Sequence, residues 1–272
     1  MRLAFREWYA PTPEELKKLW ENGTIILDSN VLLDLYLYPP ETLSEFFKVL
    51  EKIKARLWLP NQAGLEYHRN RDKSLPQQRA VLERLIRTLE ELAGNVDTLG
   101  LPEFHPVLNL ATVEAGRLKI RESFEPVLQE VRDALAKTPE FKAESILRGE
   151  PVRDRLTQLF DGNVGAEFAQ NELEQIYKEG DERYLREQPP GYKDRTKETP
   201  SRYGDLVLWK QILRNQAAAA GDARGALFVT NDRKEDWWLR KEKLLLGPRP
   251  ELVREYRGQV GADFFIYTPS DF

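Results

Sequence analysis

Two short apolar runs, Ile25-Ile26-Leu27 and Leu227-Phe228-Val229, break off abruptly into polar, acid-bearing segments. Asp28-Ser29-Asn30 follows the first, Thr230-Asn231-Asp232 follows the second, and each segment leads into a pattern that reads as helical. Short runs that are apolar throughout, rich in β-branched or aromatic residues, are expected to be strands buried on both faces, as in parallel sheets. In an open parallel sheet, ligands bind beyond the carboxyl ends of the strands. Two carboxylates at such ends, one near each end of the chain, are therefore expected to face one spot. Clustered carboxylates repel one another unless protons or cations neutralise them, and oxygen-only sites suit magnesium or manganese.

The surrounding pattern supplies the rest of such a sheet. A helix is expected over 12–22, with Thr12 as cap, Pro13 in the first turn and Glu15 at capping-box spacing. A strand at 24–28 and helices at 31–38 and 41–54 follow, the two helices parted by Pro39-Pro40. Arg56 to Leu59 reads as a strand closed by Pro60, and a helix through Gln62–Arg71 carries Glu66. Further on, a helix over 204–219, a strand over 226–230, another helix and a last strand over 263–268 complete the alternation. That order argues for a three-layer α/β fold with a parallel sheet. Between its parts, Leu82, Leu85, Ile86, Leu89 and Leu92, then Phe124, Val127, Leu128, Val131 and Leu135, form helical stripes without strand signals. The expected organisation is a discontinuous α/β domain, 1–76 and 200–272, with 77–199 as a helical insertion ending in a basic loop.

Composition narrows the chemistry. The chain has 272 residues and no cysteine, which removes disulfides, thiolate metal sites and cysteine nucleophiles. No apolar stretch has the length of a membrane span, and the first twenty residues lack a signal-peptide core, so a soluble, cytoplasmic protein is expected. The net charge of −4 gives no global basic field, although a local basic rim can still surround an acidic site.

Each acid also has an ordinary explanation. Asp28, Asp205 and Asp232 stand at expected helix starts, where a carboxylate caps free N–H groups or complements the helix dipole. Glu66 lies inside a helix, where capping cannot account for it, and a solvated helix face is its ordinary reading. Four coincidences are needed to explain the set.

The set, in order, resembles the PIN domain nucleases. Asp28-Ser29-Asn30-Val31-Leu32-Leu33, Leu65-Glu66, Gly204-Asp205-Leu206-Val207-Leu208-Trp209 and Val229-Thr230-Asn231-Asp232 carry the resemblance. Leu57 to Gln62, Glu66 to Arg71, Pro189-Pro190-Gly191-Tyr192-Lys193-Asp194 and Lys234-Glu235-Asp236-Trp237-Trp238 look like the larger bacterial PIN-like branch with a long helical insertion. The resemblance implies hydrolysis of phosphodiester bonds assisted by one or two Mg2+ or Mn2+ ions, two in the usual scheme, with water as the attacking group. Asp28 and Asp205 would be the principal ligands, with Glu66 and Asp232 completing the set and Asn30 and Thr230 orienting the carboxylates. By the same analogy the preferred substrate is single-stranded RNA. Toxin, defence and RNA-processing roles all suit the sequence.

Several residues are less determined. Asp236, four positions past Asp232 in an expected helix, would share its face and is a fifth candidate ligand, or an ordinary exposed acid. Arg69 and Asn70 share the helix face of Glu66 and are candidates to hold a phosphate. The loop 189–204, with Tyr192, Lys193 and Arg202, is a candidate clamp for a single strand by charge and stacking, or a solvated linker. Neither histidine, His68 or His105, is required. The helical insertion can serve substrate, a protein partner or a second copy of the chain. A haloacid-dehalogenase-type phosphatase would need a second Asp where Asn30 stands, which counts against it. A non-catalytic nucleic-acid-binding or assembly module, or a DNA nuclease acting on flaps or single strands, are the remaining alternatives.

Overall fold

The computed structural model describes residues 1–2, 4–96, 110–137 and 150–272. A four-stranded parallel sheet is its centre, built from β1 (Thr24–Leu27), β2 (Leu57–Trp58), β3 (Ala226–Val229) and β6 (Phe264–Tyr267) in the order β2-β1-β3-β6. The two central strands are the two runs singled out in the sequence. Ile25, Ile26 and Leu27 of β1, and all four residues of β3, have no solvent exposure. Burial on both faces is what makes these strands uniformly apolar rather than alternating.

The helices of the sheet-bearing part are α1 (Pro13–Asn22), α2 (Ser29–Asp34), α3 (Pro40–Lys52), the start of α4 (Asn61–Asn95), α6 (Pro151–Phe160), α7 (Gln170–Leu185), α8 (Gly204–Ala218) and α9 (Pro250–Val260); the rest of α4 and α5 (Leu110–Lys137) form a separate unit. The capping box of α1 forms as its spacing predicts: Glu15 N donates to Thr12 Oγ1 at 3.2 Å and Thr12 N to Glu15 Oε2 at 2.6 Å. Behind the sheet's second half, Trp209 of α8 meets Phe264 edge-on with ring centroids 5.1 Å apart, and Trp237 lies 4.9 Å from Phe228.

Three elements differ from the sequence-based expectation. The helix expected after Asp232 is absent: residues 230–237 form a loop and turn, then β4 (Trp238–Lys241) pairs antiparallel with β5 (Leu244–Pro248). Trp237 and Trp238 anchor this turn in the core, and Glu242, with φ of 56°, turns the hairpin. The helix carrying Glu66 runs on to Asn95 instead of ending near Arg71. The chain divides into two units, Met1–Asn70 with Glu150–Phe272, and Arg71–Gly149. Residues 150–199, assigned from sequence to the insertion, therefore fall in the sheet-bearing unit. The link is visible in the backbone, where Leu59 N donates to Asn163 O at 3.0 Å and Gly165 N to Leu59 O at 2.9 Å.

Candidate active site

The strand order puts a switch point between β1 and β3. From β1 the chain crosses to β2 on one side, and from β3 to β6 on the other, so a crevice opens between the carboxyl ends of the two central strands. Leu27 and Val229 are register partners, which sets Asp28 beside Thr230 immediately past the sheet. Asp28 N donates to Val229 O at 3.0 Å.

Asp28 is 8 % exposed and is held by neutral donors. Its Oδ1 accepts from Ser29 N at 2.7 Å; its Oδ2 accepts from Asn30 Nδ2 and Thr230 Oγ1, both at 2.6 Å. Thr230 Oγ1 in turn accepts from Asn30 Nδ2 and from Asp232 N, each at 3.0 Å, so one hydroxyl ties the two strand ends together. Asn30 and Thr230 thus contact the carboxylate they were expected to orient. On the other flank, Ser29 Oγ reaches Glu66 Oε2 at 3.0 Å, while Gln62 Nε2 holds Glu66 Oε1 at 2.7 Å.

Asp205 enters from the start of α8. A Cβ on the preceding residue, Gly204, would lie 2.6 Å from Glu66 Oε1, so glycine there is what lets the head of α8 come against the Glu66 side chain. Gln211 of α8 accepts from Gln62 N at 2.9 Å and satisfies the start of α4, fixing the same approach from below. Two residues without an assigned role in the sequence reading complete the cluster. Lys234 Nζ lies 2.8 Å from Asp232 Oδ2, 3.1 Å from Asp194 Oδ2 and 3.3 Å from Asp205 Oδ2. Asp194 also pairs with Lys197 at 2.7 Å. Both Asp194 and Lys234 lie in segments that the resemblance had flagged; their convergence depends on tertiary folding that local spacing does not encode.

The electrostatics follow from burial and crowding. Burial pushes Asp28 up to about 6, with Glu66 and Asp232 adding to the rise against the Thr230 and Ser29 hydrogen bonds. Burial pushes Asp205 up to about 8, opposed by Lys234 and reinforced by Asp232, Asp194 and Asp28. Lys234 is raised above its ordinary value: burial works against its charge, but Asp205, Asp232 and Asp194 outweigh it.

The remaining candidates are placed otherwise. Asp236 has no exposure, and its Oδ2 accepts from Gly191 N and Lys193 N, both at 3.1 Å. It anchors the 189–194 loop from inside, because the turn at 235–237 replaces the helix that would have aligned it with Asp232. Tyr192 is 4 % exposed, Lys193 pairs with Glu235, and Arg202 is engaged by Asp181 at 3.3 Å. Tyr192 is thus packed inside and the two cations each have an acidic partner, in a loop that composition left open as clamp or solvated linker. Asn70 Nδ2 donates to Glu66 O at 3.0 Å, whereas Arg69 is exposed one turn from Glu66 and makes no ion pair among the described residues. His105 lies outside the described residues.

A family model described as a PIN-like domain matches residues 24–252, a span that holds every residue of this cluster. The chain belongs to the PIN-like family. Comparisons with curated proteins and with solved structures return no match. The family is one of nuclease domains, so nucleic acid is the ligand class that membership implies for this PIN-like chain. Among its described residues no helix is long and apolar enough to cross a membrane.

Whether these residues suit a divalent cation can be judged from the donors themselves. Asp28, Glu66, Asp205, Asp232 and Asp194 offer oxygen only and are partly or fully buried, and the Lys234 ammonium reaches just three of them, Asp205, Asp232 and Asp194. As the side chains stand, no three His, Asp or Glu among the described residues are arranged to grip an ion between them. The donor chemistry of the set, carboxylate oxygens alone, fits a hard cation.

Proposed function

We propose that this chain is a divalent-cation-dependent nuclease that hydrolyses phosphodiester bonds, with single-stranded RNA as its preferred substrate. The observation that supports the reading best is the buried Asp28 at the switch point. It is held in one orientation by Ser29, Asn30 and Thr230 and faces acids from three other chain segments. A structural aspartate would not need three further carboxylates around it, since each raises the cost of keeping the others charged. Asp28 and Asp205 would be the principal ligands, assisted by Glu66 and Asp232. A bound Mg2+ or Mn2+ would polarise the phosphate and make its water more acidic. The protein's own part is to fix the carboxylates, through the hydroxyls of Ser29 and Thr230 and the amides of Asn30 and Gln62. It also has to bring a phosphate beside them, for which Arg69 is the exposed cation at hand. The preference for RNA over DNA follows the family resemblance. A cytoplasmic setting accords with the cysteine-free sequence.

The test is a panel of labelled single- and double-stranded RNA and DNA with Mg2+, Mn2+ or chelator. Single-stranded RNA is expected to be cut with either metal and spared with chelator. Asp28→Asn is expected to abolish cleavage while leaving RNA binding largely intact. Identical behaviour of wild type and variant at every metal concentration would refute the enzyme assignment, and cleavage of DNA alone would move the substrate.

A further inference from the structure

The acids of the crevice are neutralised unevenly. Asp205, Asp232 and Asp194 surround the Lys234 ammonium at 3.3, 2.8 and 3.1 Å. Asp28 and Glu66, on the other side, have neutral donors alone: Ser29, Asn30 and Thr230 for the first, Ser29 and Gln62 for the second. No Lys, Arg or His among the described residues forms an ion pair with either. One half of the crevice already holds a cation; the other, with Asp28 buried and Glu66 half-buried, pairs with none among the described residues.

The ammonium is also fixed in place. Asp232 Oδ1 accepts from Lys234 N at 2.9 Å, so the acid and the lysine are locked by their own backbone turn. The Lys234 carbonyl accepts from Trp237 N and Trp238 N, each at 3.2 Å, and Trp238 Nε1 donates to Asp232 O at 2.6 Å. Both tryptophans are buried. A lysine serving only to tie down a loop needs one carboxylate, and Asp194 already has Lys197. Lys234 instead meets acids from three separate segments, at the side-chain exposure of 32 % expected of a group lining a cleft.

The geometry points to Lys234 as a resident cation that stands in for one of two metal ions, so that the site takes up a single divalent cation on the side of Asp28 and Glu66. The inference rests on the proposal that the crevice binds such a cation, and it revises the ligand set: Asp28 and Glu66 would hold the ion, while Asp205 and Asp232 would hold Lys234 in place of a second one. The two-ion scheme would use one positive charge beside the attacking oxygen and one beside the leaving oxygen of an in-line displacement at phosphorus. Here one of those charges would be a covalent part of the chain and would need no metal to fill it.

Manganese binding to the full-length protein, followed by electron paramagnetic resonance of free Mn2+ and by calorimetry, tests this without any turnover. Wild type is expected to bind about one ion at saturation, Lys234→Met about two, and Lys234→Arg about one, as the retained charge restores the wild-type count. Two ions in wild type, or an unchanged count in a folded Lys234→Met protein, would overturn the inference and leave the nuclease reading standing. If Lys234→Met fails to fold, the wild-type count decides alone. No ion bound by wild type would remove both this inference and the metal-dependent reading.

Discussion

At the scale of single residues, Asp28 and Asp205 are kept where ionisation is costly, and the sign of that cost is testable. Both are raised in the folded protein, to about 6 and about 8, from an ordinary value of 3.8. A carboxyl raised on folding favours the folded state most below its unfolded value, and that benefit is lost as pH climbs through the folded value. The cation-free protein is therefore expected to lose thermal stability between about pH 4 and pH 8, by up to a few kcal/mol. A bound cation needs the charged carboxylates, so the rise in melting temperature caused by Mn2+ should grow over the same window. Melting curves at several pH values, with and without Mn2+, check both slopes; a stabilisation by Mn2+ that is strongest at pH 5 would contradict the assignment. The residues that orient Asp28 act through it. Thr230→Val and Asn30→Ala each remove a donor to Oδ2, and each should weaken Mn2+ binding by about 10- to 100-fold while the fold persists.

At the scale of elements, the site is made by the way α8 and the 230–237 turn come against the strand ends. Gly204 is the tightest point of that arrangement. A methyl group there meets the flexible end of Glu66 rather than backbone, so Gly204→Ala should be tolerated by the fold and felt by the site. The expected result is a melting temperature within a few degrees of wild type and a fall in cleavage of roughly 100-fold, the usual consequence of displacing a reacting group by about 1 Å. Equal activity would mean that Glu66 is not needed where it stands. The same elements show what the sequence made legible. Strand ends, the α1 cap and the acids were readable because burial on both faces and capping chemistry leave local patterns. The β4–β5 hairpin was not, because Trp237-Trp238-Leu239 reads equally well as helix or strand over so short a run. Asp236 went with it: its place inside the 189–194 loop follows from a turn that local spacing could not reveal. Lys234 and Asp194 were invisible for a different reason. Their partnership spans 40 residues and exists once the loop has folded over the sheet edge.

At the scale of the whole molecule, charge decides how a polyanion can approach. The chain carries a net charge of −4, and the crevice adds a local excess of acid, so a phosphate meets repulsion unless cations intervene. The basic loop that composition suggested as a clamp contributes little, because Lys193, Lys197 and Arg202 are each paired with an acid. Recognition must then rest on few phosphate contacts near the site, which predicts a shallow dependence of affinity on salt. Arg69, exposed one turn from Glu66 and without an ion pair among the described residues, is a contact open to such a role. Arg69→Ala should weaken RNA binding to a similar degree for every sequence tested and reduce the slope of log affinity against log salt by about 0.7, the share of one phosphate contact on a single strand. Fluorescence anisotropy across a salt series, with catalytically silent Asp28→Asn as the background, measures that slope directly. A steep slope that Arg69→Ala leaves untouched would place the phosphate-binding surface elsewhere on the molecule.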